Sequence, residues 1–260
     1  MDILEKIVRD KVREVAYKKQ VVSTAQLTQS TLFNRKTYSL KSKLKKTVGG
    51  IIAEHKRRSP SKAVINHTLD VFEVAKGYED AGVCGMSVLT DGKYFGGSLD
   101  DLLVARASCN LPLLRKEFII DPYQIYEAKS FGADAILLIA AVLSRAEIKA
   151  FSELAQSLGL EVLLEIHNEE ELHKALMPSL DLIGVNNRNL KTFTVDLSTS
   201  KTLSSLIPAD FTKVSESGIS DVDAIKSLIP YGFEGFLIGE CFMKTAHPGA
   251  SAHEFITQLL

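Results

Sequence analysis

The chain has 260 residues, 45% hydrophobic and 24% charged, with seven prolines, no tryptophan and a net charge of −1. It is long enough to bury one full core, and its composition is that of a globular protein. No apolar run approaches the roughly 20 residues of a membrane span, so no membrane association is expected. Three widely spaced cysteines, Cys84, Cys109 and Cys241, argue against a disulfide framework and for a reducing cytoplasm.

Charge is unevenly spread. Residues 1–46 hold twelve Lys/Arg against four Asp/Glu, a surplus of eight that leaves nine net negative charges for the rest. Such an arm can attract a small anion. It has no sustained Arg-rich run and few aromatics (Tyr17, Phe33, Tyr38), so nucleic acid is not an expected partner. The opening MDILEKIVRDKVREV reads as an amphipathic helix with Ile3, Leu4, Ile7, Val8, Val12 and Val15 on one face. Its acidic residues and the lack of a cleavage site distinguish it from an export signal.

Short apolar runs then alternate with helical stretches. Strands are expected at Gly50–Glu54, Gly85–Leu89, Leu111–Arg115, Ala135–Ile139, Glu161–Glu165, Leu182–Val185, Thr212–Ser215 and Gly235–Ile238. Several are continuous Val/Ile/Leu, the pattern of parallel strands covered on both faces. Asp121-Pro122 marks a helix start, with proline at the first helical position. Ser144 with Glu147, and Asn168 with Glu171, have capping spacing. Eight strand–helix units in about 210 residues predict a closed (β/α)8 TIM barrel, of the α/β class. An open doubly wound sheet would carry a glycine fingerprint after its first strand. This first strand ends in Glu-His-Lys-Arg-Arg. The chain is expected to be a single domain, with a helical extension over residues 1–46 and a barrel over 47–260.

Barrel chemistry sits at the C-terminal strand ends. Here those ends offer Glu54 and Lys56, Thr90-Asp91, Lys116-Glu117, Glu165, Asn186-Asn187-Arg188, Glu216-Ser217-Gly218 and Gly239-Glu240. Any one charged residue could be a solvated rim, but most of the eight strands end in groups suited to acid, base or anion-binding work. Period two puts Glu54 and Lys56 on one face, and His55 on the other. Two lysines at one mouth would repel, lowering the pKa of one and making it a better acid. SESGIS and LIGEC place a glycine where strands seven and eight meet a helix, which points to a phosphate-bearing substrate. His167 and His173 lack zinc spacing and read as helix-surface residues, and no metal site is expected. Cys84 and Cys241 read as small packing residues.

The segments IIAEHKRRSPSK, SVLTDGKYFGGS, LLRKEFIIDPYQI, EVLLEIHNEEEL, IGVNNRNL, VSESGI and LIGECFM occur in an order that resembles the indole-3-glycerol phosphate synthase family. The resemblance covers essentially the whole chain. It implies a (β/α)8 barrel with a helical extension over its mouth, acting in the cytoplasm without metal or organic cofactor. The reaction implied is ring closure, decarboxylation and dehydration of 1-(o-carboxyphenylamino)-1-deoxyribulose 5-phosphate. It further implies that Lys116 protonates the carbonyl oxygen as the ring closes. Lys56 would contact the carboxylate and phosphate region and is a candidate acid for dehydration. Glu165 would assist later proton transfers, and Glu54 would orient Lys56. Asn186 and Ser217 would position substrate, with Arg188 and Glu216 supporting the pocket. Ser59, Gly218, Gly239 and Glu240 would surround the phosphate, and Phe95 would face the anthranilate ring. The partner implied is a small sugar phosphate, and a monomer is expected.

Departures from the family's commonest pattern are His55, Arg58, Ala63 and Glu117, none of which removes a residue with an implied role. A phosphoribosylanthranilate isomerase would carry a cysteine after the first strand, where Glu54 and Lys56 stand here. A non-catalytic sugar-phosphate-binding barrel would keep the glycine loops and lose the acid–base groups.

Overall fold

The Val/Ile/Leu runs pair as eight parallel strands in a computed structural model that describes residues 2–260. They are β1 (Gly50–His55), β2 (Gly85–Leu89), β3 (Leu113–Lys116), β4 (Ala135–Ile139), β5 (Glu161–Ile166), β6 (Leu182–Asn186), β7 (Thr212–Glu216) and β8 (Phe233–Ile238). Each pairs with the next, and β8 returns to β1 through Gly50–Gly235 to Ala53–Ile238, closing a TIM barrel. β3 begins two residues later than expected because Pro112 has no N–H to give the ladder. β8 begins two residues earlier, where Phe233 pairs with Lys213 beside a register shift in β7.

The helices before β1 are α1 (Ile3–Val21), α2 (Thr24–Leu27) and α3 (Leu40–Lys45). Between the strands come α4 (Val71–Asp80), α5 (Gly92–Phe95), α6 (Leu99–Ser108), α7 (Tyr123–Ser130), α8 (Arg145–Ser157), α9 (Glu169–Ala175), α10 (Ser198–Ser204) and α11 (Val222–Leu228). After β8 come α12 (Glu240–Met243) and α13 (Pro248–Leu259). Ser144 and Glu147 cap α8 reciprocally, and Asn168 accepts the Glu171 amide at the start of α9. Asp121 accepts the Tyr123 amide, so α7 starts one residue later than expected and Pro122 stands at the cap.

Strand residues alternate between two cores. Ile51, Met86, Val88, Ile136 and Leu164 face the helices. Ile52, Leu114, Leu163, Leu182, Val214 and Leu237 face the barrel axis, where Leu40 and Leu44 of α3 join them, fully buried. Leu40 and Leu44 press on Gly85, Gly50 and Gly235, near the starts of β2, β1 and β8, so α3 plugs the base of the barrel. The stretch leading into α3 is fastened by the buried Asp134, which accepts from Arg35 Nη2 (2.6 Å), the Tyr38 amide (2.8 Å) and Arg106 Nη1 (2.9 Å).

α1 lies at the opposite end of the barrel, capped by a reciprocal Asp2–Glu5 pair. Its inward stripe differs from the expected one. Ile7 and Val15 are buried as the spacing predicts, but Val12 is 55% exposed and Lys11, at 2%, takes the buried place between them. Lys11 Nζ pairs with Asp91 at 2.9 Å and with Glu117 at 3.0 Å. A buried ammonium with anionic partners is satisfied where a valine at position 12 would meet only charge. No helix among the described residues is long and apolar enough to cross a membrane.

Candidate active site

The period of two that builds the axial core also delivers the site. Two residues beyond Ile52, Leu114, Leu163, Val214 and Leu237 stand Glu54, Lys116, Glu165, Glu216 and Gly239, one turn of the pleat nearer the C-terminal mouth. They line one cavity of about 380 Å³ together with Lys56, Asn186, Arg188 and Ser217. Phe95, Ser59, Gly218 and Glu240 line the same space, so all thirteen residues expected at a site meet there.

Lys116 is the hub. Its Nζ lies 2.9 Å from Glu216 Oε2, 3.7 Å from Glu165 Oε2 and 3.8 Å from Glu54 Oε2. Burial works to lower its pKa, but the carboxylates of Glu216, Glu54 and Glu165 outweigh burial and raise it well above the usual lysine range. Lys116 is therefore not the depressed lysine that two neighbouring ammonium groups would give, because three carboxylates crowd in around it. Lys56 Nζ sits 2.6 Å from Glu54 Oε1, so Glu54 bridges both lysines. Burial opposes the ionisation of Glu54, but Lys56 and Lys116 prevail and hold its pKa below the usual value. Glu216 bears the crowding: burial, with Glu165 and Glu54 close by, pushes its pKa up to about 7 against the pull of Lys116. Two glycines make room for this cluster. A Cβ at Gly239 would lie 2.6 Å from Glu54 Oε1, and one at Gly184 would collide with Glu216 Oε1.

The loop after β7 is held in an uncommon conformation, with Ser217 at φ 66° and Gly218 at φ 82°. Such strain persists only where the surroundings over-determine it. Asn187 supplies that: its buried Nδ2 donates to the carbonyls of Glu216 (2.9 Å) and Ser217 (3.1 Å). Asn186 turns its Oδ1 to the Arg188 amide at 3.0 Å. At the rim, Glu240 is paired with Lys62 Nζ at 2.7 Å. On the apolar side the rings of Phe95 and Phe118 lie 5.9 Å apart, and Ile3, Leu4 and Ile7 of α1 close that wall.

A family model described as "Indole-3-glycerol phosphate synthase" matches residues 4–255. A protein of Bacteroides thetaiotaomicron named indole-3-glycerol phosphate synthase is 48% identical over 255 residues, covering 98% of each chain. One of the same name from Bordetella pertussis is 42% identical over 252 residues, covering 95% of this chain and 96% of its own. The chain belongs to the indole-3-glycerol phosphate synthase family. It is a carboxy-lyase of tryptophan biosynthesis. The fold is shared more widely: the crystal structure of KGPDC from Streptococcus mutans superposes with a TM-score of 0.60 at 14% identity, over 82% of this chain and 98% of that one.

Some neighbours of the site in this synthase-family chain were not legible from spacing. Glu117, beside Lys116 in sequence, points the other way; it accepts from Thr90 Oγ1 at 2.8 Å and pairs with Lys11 of α1. His167 is not on a helix surface as expected. It follows β5, its side chain only 10% exposed, between Glu165 and Glu171. His173 does lie exposed on α9. His55 is buried on the helix side of β1, opposite Glu54, where burial and then Arg57 push its pKa down to about 4.

Proposed function

We propose that the five side chains Glu54, Lys56, Lys116, Glu165 and Glu216 carry out the conversion of 1-(o-carboxyphenylamino)-1-deoxyribulose 5-phosphate to indole-3-glycerol phosphate. The observation that carries the roles is the hub position of Lys116 among three carboxylates. Attack by the ring carbon on the sugar carbonyl builds negative charge on its oxygen. An alkoxide is a stronger base than an amine, so a lysine of raised pKa still gives its proton there. What the carboxylates supply is a donor that is always charged and fixed in place. Loss of carbon dioxide restores aromaticity. The hydroxyl then leaves with a second proton, from Lys56, while Glu165 takes the adjacent C–H proton.

Phe95 and Phe118 form the wall for the anthranilate ring, and holding that ring against the carbonyl supplies much of the acceleration. The phosphate takes the end made by Ser59, Gly218 and Gly239, where barrels of this kind commonly hold one after strands seven and eight. Glu240 faces that end with its charge offset by Lys62. Asn186, Arg188 and Ser217 position the sugar. Residues 1–46 serve as an extension of a single barrel domain spanning 47–260, with Ile3, Leu4 and Ile7 forming part of the roof. The chain acts as a monomer in the cytoplasm, and its three free thiols support the compartment.

The test is indole fluorescence on adding substrate to the parent and to Lys116→Met. The parent turns over, and the folded variant loses about a hundredfold or more in kcat, the usual worth of a positioned acid. A parent that binds substrate and never forms the indole would overturn the reading.

A further inference from the structure

The reaction has an unbalanced proton. Two protons are given, to the carbonyl oxygen and to the departing hydroxyl, and one is taken from carbon. The substrate's carboxylate leaves as neutral carbon dioxide, so each turnover removes one proton from the side chains of the site. The carboxylates of the site are poorly placed to take it straight from solvent, since Glu165 is 5% exposed and Glu54 and Glu216 less, while the side chains of Lys116 and Lys56 keep 15% and 20%.

Behind Glu165 the structure offers another path. His167 Nε2 lies 3.5 Å from Glu165 Oε1, shielded from solvent and with no hydrogen-bond partner. The other ring nitrogen, Nδ1, lies 3.1 Å from Glu171 Oε2, which also accepts the His167 backbone N–H at 2.8 Å. A carboxylate accepts only, so Nδ1 carries the hydrogen when Glu171 is ionised. Glu171 and His167 line a second hollow of about 650 Å³, which shares Asn186 and Arg188 with the first. Glu165 Oε2 in turn stands 3.7 Å from Lys116 Nζ.

We propose that Glu171, His167 and Glu165 form a proton relay from the second hollow to Lys116, restoring the proton that each turnover consumes. Glu171, once protonated from the hollow, gives its proton to Nδ1 of the Nε2–H tautomer as Nε2 releases its own to Glu165. The Nδ1–H form this leaves returns to the Nε2–H form through rotation of the ring and tautomerisation before the next transfer. Glu165 first passes to Lys116 the proton it has taken from carbon and then, ionised again, the one from His167. Glu54, between the two lysines, carries one of them on to Lys56. The relay rests on the roles proposed above for Glu165 and Lys116. The charged groups around the imidazole are Glu165 near the end of β5, Glu171 from α9 and Glu216 from β7, with Asp2, Arg188, Lys191 and Asp196 about the hollow. Burial opposes the imidazolium, but Glu171 and Glu165 outweigh it and raise the histidine's pKa.

The experiment compares the first turnover, with enzyme in excess, with steady-state turnover for His167→Phe and Glu171→Gln. Glutamine keeps an acceptor for the backbone amide of residue 167 but cannot carry a proton, so it remains informative if the phenylalanine fails to fold. The first turnover should stay within about twofold of the parent while kcat falls on the order of tenfold or more at similar KM. Imidazole added to His167→Phe should restore several-fold of the lost kcat. First and later turnovers slowed alike with no response to imidazole would mean a packing role and overturn the relay. An unchanged kcat would overturn it as well. Failure of the site reading is separate, since it would show as turnover surviving in Lys116→Met with His167 intact.

Discussion

Three carboxylates around one lysine cannot all ionise without cost, and Glu216 is where that cost falls. Its pKa climbs from 4.5 in the unfolded chain to about 7 in the folded one. Between those values the folded state binds more protons than the unfolded state, so stability falls as pH rises through that window and is level above it. Glu216→Gln mimics the protonated carboxyl. It should melt higher than the parent at pH 8 and no differently at about pH 4, where both forms are uncharged. A parent as stable as the variant at pH 8 would refute the raised pKa. At this scale the sequence was readable where a strand's own period decides the outcome. Glu54, Lys116, Glu165 and Glu216 follow from counting by two beyond an apolar axial residue. Lys11, His167 and Asn187 were not readable, since the partners that give them meaning lie on other elements.

α1 shows how an element is fixed by something other than its apolar stripe. The helix and its facing residues Ile3, Ile7 and Val15 were legible from spacing. Its anchor was not, because a lysine inside a helix reads as solvent-facing until Asp91 and Glu117 are brought to it by the loops after β2 and β3. Lys11 is 1% exposed in its side chain, and Asp91 and Glu117 are 2% and 1%. Burial would lower the pKa of Lys11, but Glu117 and Asp91 raise it above the ordinary lysine range. Lys11→Met would leave the buried Asp91 without its cation and Glu117 with Arg115 alone, 3.7 Å away, a change that costs about 3–5 kcal/mol when one partner of a buried pair is removed. Urea unfolding should show that loss, and limited proteolysis should cut first in α1. Because Glu117 adjoins Lys116 and α1 roofs the aromatic wall, substrate KM should rise as well. A variant as stable as the parent would mean that α1 is held by its apolar face alone.

The whole molecule is a barrel closed at both ends by its first 46 residues, α1 over the mouth and α3 under the base. Eight parallel strands, their order and most of their ends could be read from alternating apolar runs and turn signals. The plug could not, because LKSKLK offers only two leucines among charges and gives no sign of which surface they fill. Leu44→Ala should cost about 2–5 kcal/mol, as for other buried leucines, measured by denaturant unfolding. KM should be unchanged, since the base is remote from the mouth. A change in KM with little loss of stability would place α3 elsewhere in the energetics.

The central claim is that Lys116 donates the proton of ring closure and Lys56 that of dehydration. The most direct test is single-turnover release of carbon dioxide, followed beside indole fluorescence, in the parent, Lys116→Met and Lys56→Met. Lys116→Met should release neither carbon dioxide nor indole product at an appreciable rate. Lys56→Met should release carbon dioxide ahead of a slow indole signal. Carbon dioxide released by Lys116→Met at the parent's rate would contradict the account.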